Sequence, residues 1–295
     1  MANNREIKTR ITSVKSTAKI TKALQLVSAS KMQKATDRVK RSEIYAEALY
    51  EIVKKISNVT DHKSPLLRKP ESTKNIGIVV IGTDRGFVGS MVANLTIETY
   101  KLAESLRKEF PKANIKGISV HKTGLKILEE AGVDSIFHFA EYKDALERRD
   151  LSAVFEFIIK KFVTGELDLI YIVSTKYINT LIQTVMSRKI LPLTLDEAGS
   201  RKSEENSKLE IRNSSFLFEP SQEEILDKIL PEYFETLIYV SVLSSIASEY
   251  SSRMVAMKNA TDNANDIASK LTLKYNKNRQ AAITQQIIEI VSGTV

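Results

Sequence analysis

The segment with the clearest potential for chemistry is Gly82-Thr-Asp-Arg-Gly86-Phe-Val-Gly89, which follows a β-branched run and precedes a helical pattern. Loops at this position bind phosphate through backbone N–H groups at a helix N-terminus. The spacing here is neither GxGxxG nor a GK(S/T) loop, so it matches no nucleotide motif. Two interpretations are open for Asp84 and Arg85. Either they bind a ligand, or they cap the following helix and pair with each other, which is the more ordinary arrangement.

Other groups that could form a catalytic or metal site are sparse. Cysteine is absent, which excludes disulfides, thiolate metal sites and cysteine nucleophiles. No histidine has a second histidine three or four residues away, so His62, His121 and His138 are expected to be structural or exposed. Asp262 and Asp266 are spaced by four on a helical pattern, which is typical of a solvated face. We therefore predict no catalytic residue, no metal site and no bound cofactor in this chain.

The positive charge of the chain is confined to its N-terminal segment. Residues 1–60 hold thirteen Lys or Arg against five Asp or Glu, which accounts for the whole formal net charge of +8. Three interpretations are open: a solubilising surface, a nucleic-acid-binding surface and a surface for an acidic protein. The segment has no aromatic residue before Tyr45, so it offers no stacking platform for single strands. An acidic protein partner explains the same charge without base recognition.

Glycine and proline divide the chain into three parts. The first proline is Pro65 and the first glycine is Gly77, and neither type occurs between Pro231 and Gly293. Breaker-free stretches at both ends and a punctuated middle predict two long helices that bracket an inserted domain.

The N-terminal stretch carries a heptad pattern. Alternating steps of four and three lead from Ile7 to Ile56, and eleven of these fifteen positions are apolar. A period of 3.5 residues predicts a left-handed coiled coil. Three of the four polar exceptions lie within two consecutive turns: Thr21, Gln25 and Ser28. A second apolar stripe lies beside them: Ile20, Leu24 and Val27. We expect the helix to turn this second stripe toward a different partner.

The C-terminal stretch repeats the pattern, because the same steps from Ile229 to Ala282 meet mostly apolar or aromatic residues. Neither helix can bury its stripe alone, so we predict that the two pair in an antiparallel coiled coil. The predicted helices cover residues 4–57, 221–230 and 231–291, with Pro231 at a first helical position. Small side chains recur at every fourth residue and allow close approach of the helix axes: Ala256, Ala260, Ala264 and Ala268.

The middle of the chain alternates between strand and helix patterns. Strands are predicted at 75–82, 115–120, 135–139 and 167–174, and helices at 88–109, 121–131 and 150–164. Two further strands are expected at 181–186 and 216–219, on either side of a polar loop at 196–214. The alternation predicts a Rossmann-like α/β domain with a mostly parallel sheet. The chain then divides into an N-terminal coiled-coil helix at 1–60, the inserted domain at 75–219 and a C-terminal helical segment at 221–295.

The last turns of the chain have apolar residues on several faces of the helix: Ile283, Ile287, Ile288, Ile290 and Val291. A helix of this kind is normally enclosed. Nothing else in the chain is positioned to enclose it, so we predict that a partner does. No run approaches eighteen apolar residues, which predicts no membrane-spanning segment.

Three segments resemble the gamma subunit family of the F-type ATP synthase, the rotating central stalk of that enzyme. Residues 5–39 resemble the N-terminal signature of the family, residues 249–293 its C-terminal signature, and Thr83-Asp-Arg-Gly86 the motif after its first strand. The resemblance covers the whole chain, although residues 110–215 match only in pattern. It implies an antiparallel coiled coil inside a ring of alternating alpha and beta subunits. The foot of this shaft is expected to rest on the membrane c-ring and to hold the epsilon subunit.

The resemblance also implies a function, in which rotation of an asymmetric shaft exchanges the states of three beta-subunit catalytic sites. Proton or sodium flow is thereby coupled to ATP synthesis or hydrolysis, and this chain transmits torque without a catalytic site. The basic helix is expected to meet the acidic lever tips of beta near Lys19, Lys22 and Leu24.

The resemblance assigns roles at the C-terminus as well. Three polar residues are implied to catch the beta subunit: Arg279, Gln280 and Thr284. The apolar residues Ile283, Ile287, Ile288, Ile290 and Val291 are expected to turn in an apolar sleeve. The family usually has Glu where this chain has Gln286, which predicts one weaker hydrogen bond, because charge-assisted bonds are about twice as strong as neutral ones.

Two rival functions remain open at this point. A basic coiled-coil nucleic-acid-binding protein would show DNA binding with a steep salt dependence. A nucleotide-dependent enzyme would lose binding on replacement of Asp84 or Arg85. A start at Met1 without a transit segment favours a bacterial protein, held peripherally on the cytoplasmic side of the cell membrane.

Overall fold

A computed structural model describes residues 2–57, 64–68, 70, 72–141, 146–193 and 221–293 of the chain. The side chains of Ala2, Asn3, Ser57 and Val291 are not part of this description. The predicted loop at 196–214, the predicted strand at 216–219 and His62 lie outside the described residues.

Two long helices form an antiparallel coiled coil, as the heptad patterns predict. Helix α1 covers Ala2–Ser57 and helix α5 covers Gln222–Ser292. The helices run antiparallel, since Thr21 contacts Thr261 and Tyr50 contacts Tyr233. All fifteen heptad positions from Ile7 to Ile56 are buried or half-buried, and in α5 only Ala282 of the corresponding positions is exposed. The mutual burial of the two stripes is therefore what holds the helices together.

The predicted break before Pro231 is wrong, because α5 continues through this residue. Proline cannot donate to the carbonyl of residue 227, but Asp227 is exposed and solvent can satisfy that carbonyl. Leu230 and Phe234, on either side of the proline, are fully buried and keep both parts of the helix packed. The single helix begins at Gln222 and is capped by Ser221, whose hydroxyl accepts a hydrogen bond from the N–H of Glu224 at 3.2 Å.

The inserted domain is a five-stranded mixed sheet, which confirms the Rossmann-like α/β prediction. Its strands are β1 (Asn75–Ile81), β2 (Asn114–Val120), β3 (Asp134–Phe139), β4 (Leu169–Tyr177) and β5 (Gln183–Leu191). Its helices are α2 (Met91–Glu109), α3 (Lys122–Glu130) and α4 (Ser152–Val163). The strand order is β3-β2-β1-β4-β5, in which only the β4–β5 pair is antiparallel.

Both faces of the sheet are covered. Alternate residues of β1 point to opposite sides, so Ile76, Ile78 and Val80 join one apolar cluster with α2 and α3. Val79 and Ile81 join a second cluster that also contains α4, the C-terminal half of α1 and the N-terminal half of α5. This second cluster packs the sheet against the part of the coiled coil that contains the end of α1 and the start of α5.

Serine hydroxyls on α5 connect the sheet to the shaft along its length. Arg188 of β5 donates to the Ser241 hydroxyl at 2.8 Å, and the N–H of Tyr177 in β4 donates to Ser244 at 2.9 Å. Further along α5, Ser251 donates to the carbonyl of Thr180 at 2.7 Å. The contacts therefore extend along α5 from Ser241, beside Arg188, to Ser251, beside the turn after β4, and the carboxyl ends of the parallel strands face the free end of the coiled coil.

Close approach of the two helices makes the alanine positions of α5 sensitive to size. Ala264 is 7% exposed and Ala260 is half-buried. We expect Ala264→Leu to lower the free energy of unfolding by about 1–3 kcal/mol, because the packed seam has no room for three further carbons. Ala260→Leu should lower the free energy of unfolding by a smaller amount, because Ala260 is only half-buried. Urea unfolding of the chain measures both changes, and Ala281→Leu at an exposed position is the matched control, expected within about 0.5 kcal/mol of the parent. An equal loss in all three variants would contradict the packing argument.

A candidate coupling surface on the coiled coil

The second apolar stripe of α1 lies outside the seam of the coiled coil and is exposed. The exposed fractions of Ile20, Leu24 and Val27 are 59%, 37% and 53%. Lys19 and Lys22 flank this stripe and are exposed as well. We call Lys19, Ile20, Lys22 and Leu24 the coupling face. It combines large apolar side chains with two cations and is not covered by any described residue of the chain.

The seam behind the coupling face is polar and narrow, which explains why the apolar residues point outward. The hydroxyl oxygens of Thr21 and Thr261 lie 2.7 Å apart across the helix pair, and Ser28 is 3% exposed. Small hydroxyl side chains let the helices approach closely, so no space remains between them for the side chains of the second stripe.

The C-terminal end of α5 extends beyond α1. Because Thr21 lies opposite Thr261, Ala2 lies opposite roughly position 280. Every residue from Arg279 to Ile290 is exposed, including the three predicted catch residues and Gln286. The exposed fractions of its isoleucines are large: 46% for Ile283, 55% for Ile287, 60% for Ile288 and 69% for Ile290. The side chain of Val291 lies outside the described residues.

The two predicted groups of site residues do not form one site. Eighteen helical positions separate Thr261, beside the coupling face, from Arg279 at the tip, which is about 27 Å along the axis. The structure therefore contains two separate exposed apolar surfaces on one shaft, the coupling face and the tip at 279–290.

The expected capping role of Asp84 and Arg85 is wrong. Helix α2 begins only at Met91, with Ser90 in the capping position, so both residues lie too far upstream. The expected local pair is present, since the Arg85 guanidinium lies 3.5 Å from the Asp84 carboxylate. The intervening residues turn through a positive φ at Phe87, which separates the charged pair from the helix.

The loop is anchored to α5 by a buried ion pair that sequence reasoning missed. The Arg253 guanidinium donates to the carbonyls of Gly86 at 3.1 Å and Arg85 at 3.0 Å, and to Glu249 at 2.6 Å. The second carboxylate oxygen of Glu249 accepts from the N–H of Asp84 at 3.3 Å. We call Glu249 and Arg253 the loop clamp. The sequence offered one signal for this pair. Glu249 and Arg253 are oppositely charged, are spaced by four residues, and lie next to the seam residue Tyr250.

His121 lies behind the loop clamp in a strained conformation, with φ of +63° and a ring nitrogen 3.4 Å from the carbonyl of Gly82. Burial lowers the pKa of His121 below its ordinary value of 6.5, although the negative charges of Glu249 and Asp84 oppose the shift. The folded chain therefore favours the neutral imidazole.

This shift predicts a stability loss in mild acid. Below pH 6.5 the unfolded chain binds a proton at His121 that the folded chain does not bind, so the free energy of unfolding falls as the pH decreases from 6.5 toward the lower folded pKa. Urea unfolding at several pH values measures the slope. His121→Asn keeps a side chain that tolerates positive φ, and the curve of this variant should be flatter over the same range. Identical slopes would contradict a depressed pKa at this residue.

The other polar clusters among the described residues do not assemble a metal site or an unbalanced charge. No group of three acidic or histidine side chains in the described segments could hold a metal ion. Asp262 and Asp266 are exposed, as predicted for a solvated face. A cleft of about 360 Å³ beside α1 contains Arg148, but Glu232 accepts from its guanidinium at 3.1 Å and Glu235 lies 3.8 Å away. The arginine charge is thus already balanced within the chain.

Helix α5 contains a stretch that is long and apolar enough to cross a membrane by length and composition. Most of that stretch is buried against the sheet and α1, which is how the core helix of a folded domain passes the same test. Its apolar character is therefore explained by packing within the chain.

The fold and its exposed surfaces can be compared with known proteins. A family model described as ATP synthase matches residues 3–295. The ATP synthase gamma chain of Azoarcus sp. (strain BH72) is 36% identical over 298 residues, with 99% of each chain covered. That of Janthinobacterium sp. (strain Marseille) is 37% identical over 295 residues, again with 99% of each covered. This chain belongs to the ATP synthase gamma chain family.

Solved structures with the same fold come from mitochondrial ATP synthases. A chain from the central stalk and c-ring of the Tetrahymena thermophila mitochondrial ATP synthase aligns with a TM-score of 0.60 at 22% identity, covering 82% of this chain and 99% of that one. A chain from the Euglena gracilis mitochondrial enzyme aligns with a TM-score of 0.62 at 18% identity, covering 99% and 94%. The gamma-chain resemblance noted in the sequence is thus confirmed, and the nucleic-acid alternative receives no support.

Proposed function

We propose that this chain is the rotor shaft of an F-type ATP synthase and transmits torque between a membrane c-ring and the beta-subunit catalytic sites. The observation that carries the proposal is the tip at 279–290, an apolar helix end that extends past α1 and is exposed throughout. An isolated helix with isoleucines on several faces requires an enclosing partner. A ring of alpha and beta subunits provides such an enclosure.

Torque requires a shaft that presents different faces to identical partners. The coupling face lies on α1 alone, so only one beta subunit at a time meets Lys19, Lys22 and Leu24. Lysines attract the acidic lever tips of that subunit, while Ile20 and Leu24 provide apolar contact. At the tip, Arg279, Gln280 and Thr284 bind the beta subunit above the sleeve, and Ile283, Ile287, Ile288, Ile290 and Val291 turn inside it.

The chemistry of ATP belongs to the ring in this proposal. The chain itself supplies no catalytic residue and no cofactor site, and its inserted domain at 75–219 forms the foot between the coiled-coil segments at 1–60 and 221–295. The foot contacts the epsilon subunit and the c-ring. The chain is then a peripheral protein on the cytoplasmic side of a bacterial membrane.

Reconstitution tests the proposal. The chain is mixed with purified alpha and beta subunits of its own enzyme, the product is sized, and ATP hydrolysis is measured. We expect one copy of the chain for each ring and a turnover above that of alpha and beta alone. A control chain that ends at residue 278 lacks the tip and should assemble more weakly. A chain that ignores the ring but shifts DNA in a salt-dependent manner would overturn the proposal.

A further inference from the structure

The turn between β4 and β5 exposes three large apolar side chains. The exposed fractions of Ile178, Leu181 and Ile182 are 54%, 80% and 52%. Turns at the surface normally carry Gly, Pro, Asn, Asp or Ser, and clustered apolar side chains on a soluble surface mark interaction sites. We call residues 178–182 the hairpin tip.

The hairpin tip is held in place by polar side chains rather than by apolar packing. The Asn179 carboxamide oxygen accepts from the N–H groups of Leu181 and Ile182, both at 2.9 Å. The Gln183 carboxamide donates to the Thr180 carbonyl at 3.0 Å. Such a turn is ordered before any partner arrives, so little conformational entropy is lost when Leu181 is buried.

Two serines of α5 brace the same turn from behind. Ser251 donates to the Thr180 carbonyl at 2.7 Å, and Ser252 donates to the Gln183 carboxamide oxygen at 3.1 Å. These bonds tie the hairpin tip to the shaft at the level of the loop clamp. A force applied to Leu181 therefore acts directly on α5.

The hairpin tip lies on the edge of the sheet that faces the free end of the coiled coil. Arg188, which lies opposite Ile172 of β4, contacts Ser241, whereas the turn after β4 contacts Ser251 and Ser252 further along α5. The coupling face, level with Thr261, is about 15 Å further along the same axis. The hairpin tip forms a shoulder, at the level where the molecule widens from two helices to the sheet domain.

We propose that the hairpin tip is a second docking surface for a beta subunit, and this inference rests on the proposed rotor function. A ring that encircles the coiled coil at the coupling face lies about 15 Å from this shoulder, so the rim that faces the sheet domain is next to the hairpin tip. The shoulder repeats the chemistry of the coupling face, since the exposed Lys176 lies two residues before Ile178, as Lys22 lies two residues before Leu24. The same kind of partner, acidic and apolar, fits both.

The lack of cysteine makes a direct test possible. Leu181→Cys provides a single thiol that takes a benzophenone maleimide, and the labelled chain is assembled with alpha, beta and epsilon subunits and illuminated. We expect a cross-linked band that contains beta. Ile97→Cys, a position 52% exposed on α2, is the matched control and should give no such band.

The outcomes separate the inference from the function on which it rests. If the labelled complex assembles and hydrolyses ATP but Leu181→Cys cross-links to alpha, to epsilon or to no subunit, the docking surface is overturned and the rotor function stands. If neither labelled chain joins the ring although the unlabelled parent does, the label is moved to Ile182→Cys. A cross-linked band that contains beta then supports the docking surface, and its absence overturns it. If the unlabelled parent fails to join the ring, the rotor function itself is overturned.

Discussion

Replacing Glu249 with alanine is expected to destabilise the chain by about 3–5 kcal/mol, the largest stability effect among the variants considered. The carboxylate is 1% exposed and Arg253 is 7% exposed, so removal of either partner leaves a buried charge without its counterion. The backbone of the loop at Asp84–Gly86 loses its attachment to α5 at the same time. Thermal and urea unfolding of Glu249→Ala and Arg253→Ala measure the loss.

A double-mutant cycle distinguishes the pair from its separate members. Glu249→Ala combined with Arg253→Ala removes both charges, and we expect this double variant to lose less stability than the sum of the two single losses. Asp262→Ala, at an exposed carboxylate on the same helix, serves as the control and should stay within about 0.5 kcal/mol of the parent. Losses that add without interaction would mean that the loop clamp does not act as a unit.

Reversing two lysines is expected to give the largest functional effect. In Lys19→Glu with Lys22→Glu, the coupling face would present like charges to the acidic levers of beta, and such juxtaposition costs several kcal/mol. We expect ATP-driven ion pumping per ATP hydrolysed to fall by roughly tenfold, while assembly is retained, because the seam residues Ala18 and Thr21 are untouched. Pumping in reconstituted vesicles and hydrolysis in the same samples provide the ratio.

The matched control changes the same charge elsewhere on the same helix. Lys34→Glu with Lys40→Glu reverses two exposed lysines of α1 below the coupling face and should leave the ratio near that of the parent. A similar loss of coupling in both double variants would attribute the effect to net charge. Unchanged coupling in Lys19→Glu with Lys22→Glu would remove the acidic-lever argument.

The sequence predicts the shaft well, because helix pairing depends on local periodicity. Heptad spacing places residues from Ile7 to Ile56 in one buried seam without knowledge of the partner, and the outward turn of Ile20, Leu24 and Val27 follows from the polar residues beside them. The prediction failed at Pro231, where tertiary burial of Leu230 and Phe234 outweighs the local cost of a proline.

The connections between the sheet and the shaft could not be predicted in the same way. Asp84 and Arg85 precede a helix in sequence, which suggests a cap, but the loop between them and Met91 is long enough to turn away. The clamp of Glu249 and Arg253 joins segments more than 160 residues apart. The spacing of Glu249 and Arg253 indicates that the two pair with each other, but neither this spacing nor hydrophobic periodicity identifies the distant loop that they bind.

The two ends of the molecule differ in width, which limits how the proposed ring can be placed on the shaft. Both helices reach the same narrow end, where Ala2 lies near position 280 of α5, while the opposite end carries the broad sheet domain. In the proposed complex, a closed ring can be threaded over the narrow end, and the broad sheet domain opposes its passage beyond the shoulder at the hairpin tip. A ring formed before the shaft enters it is then threaded from one end only, with the sheet domain left outside the ring.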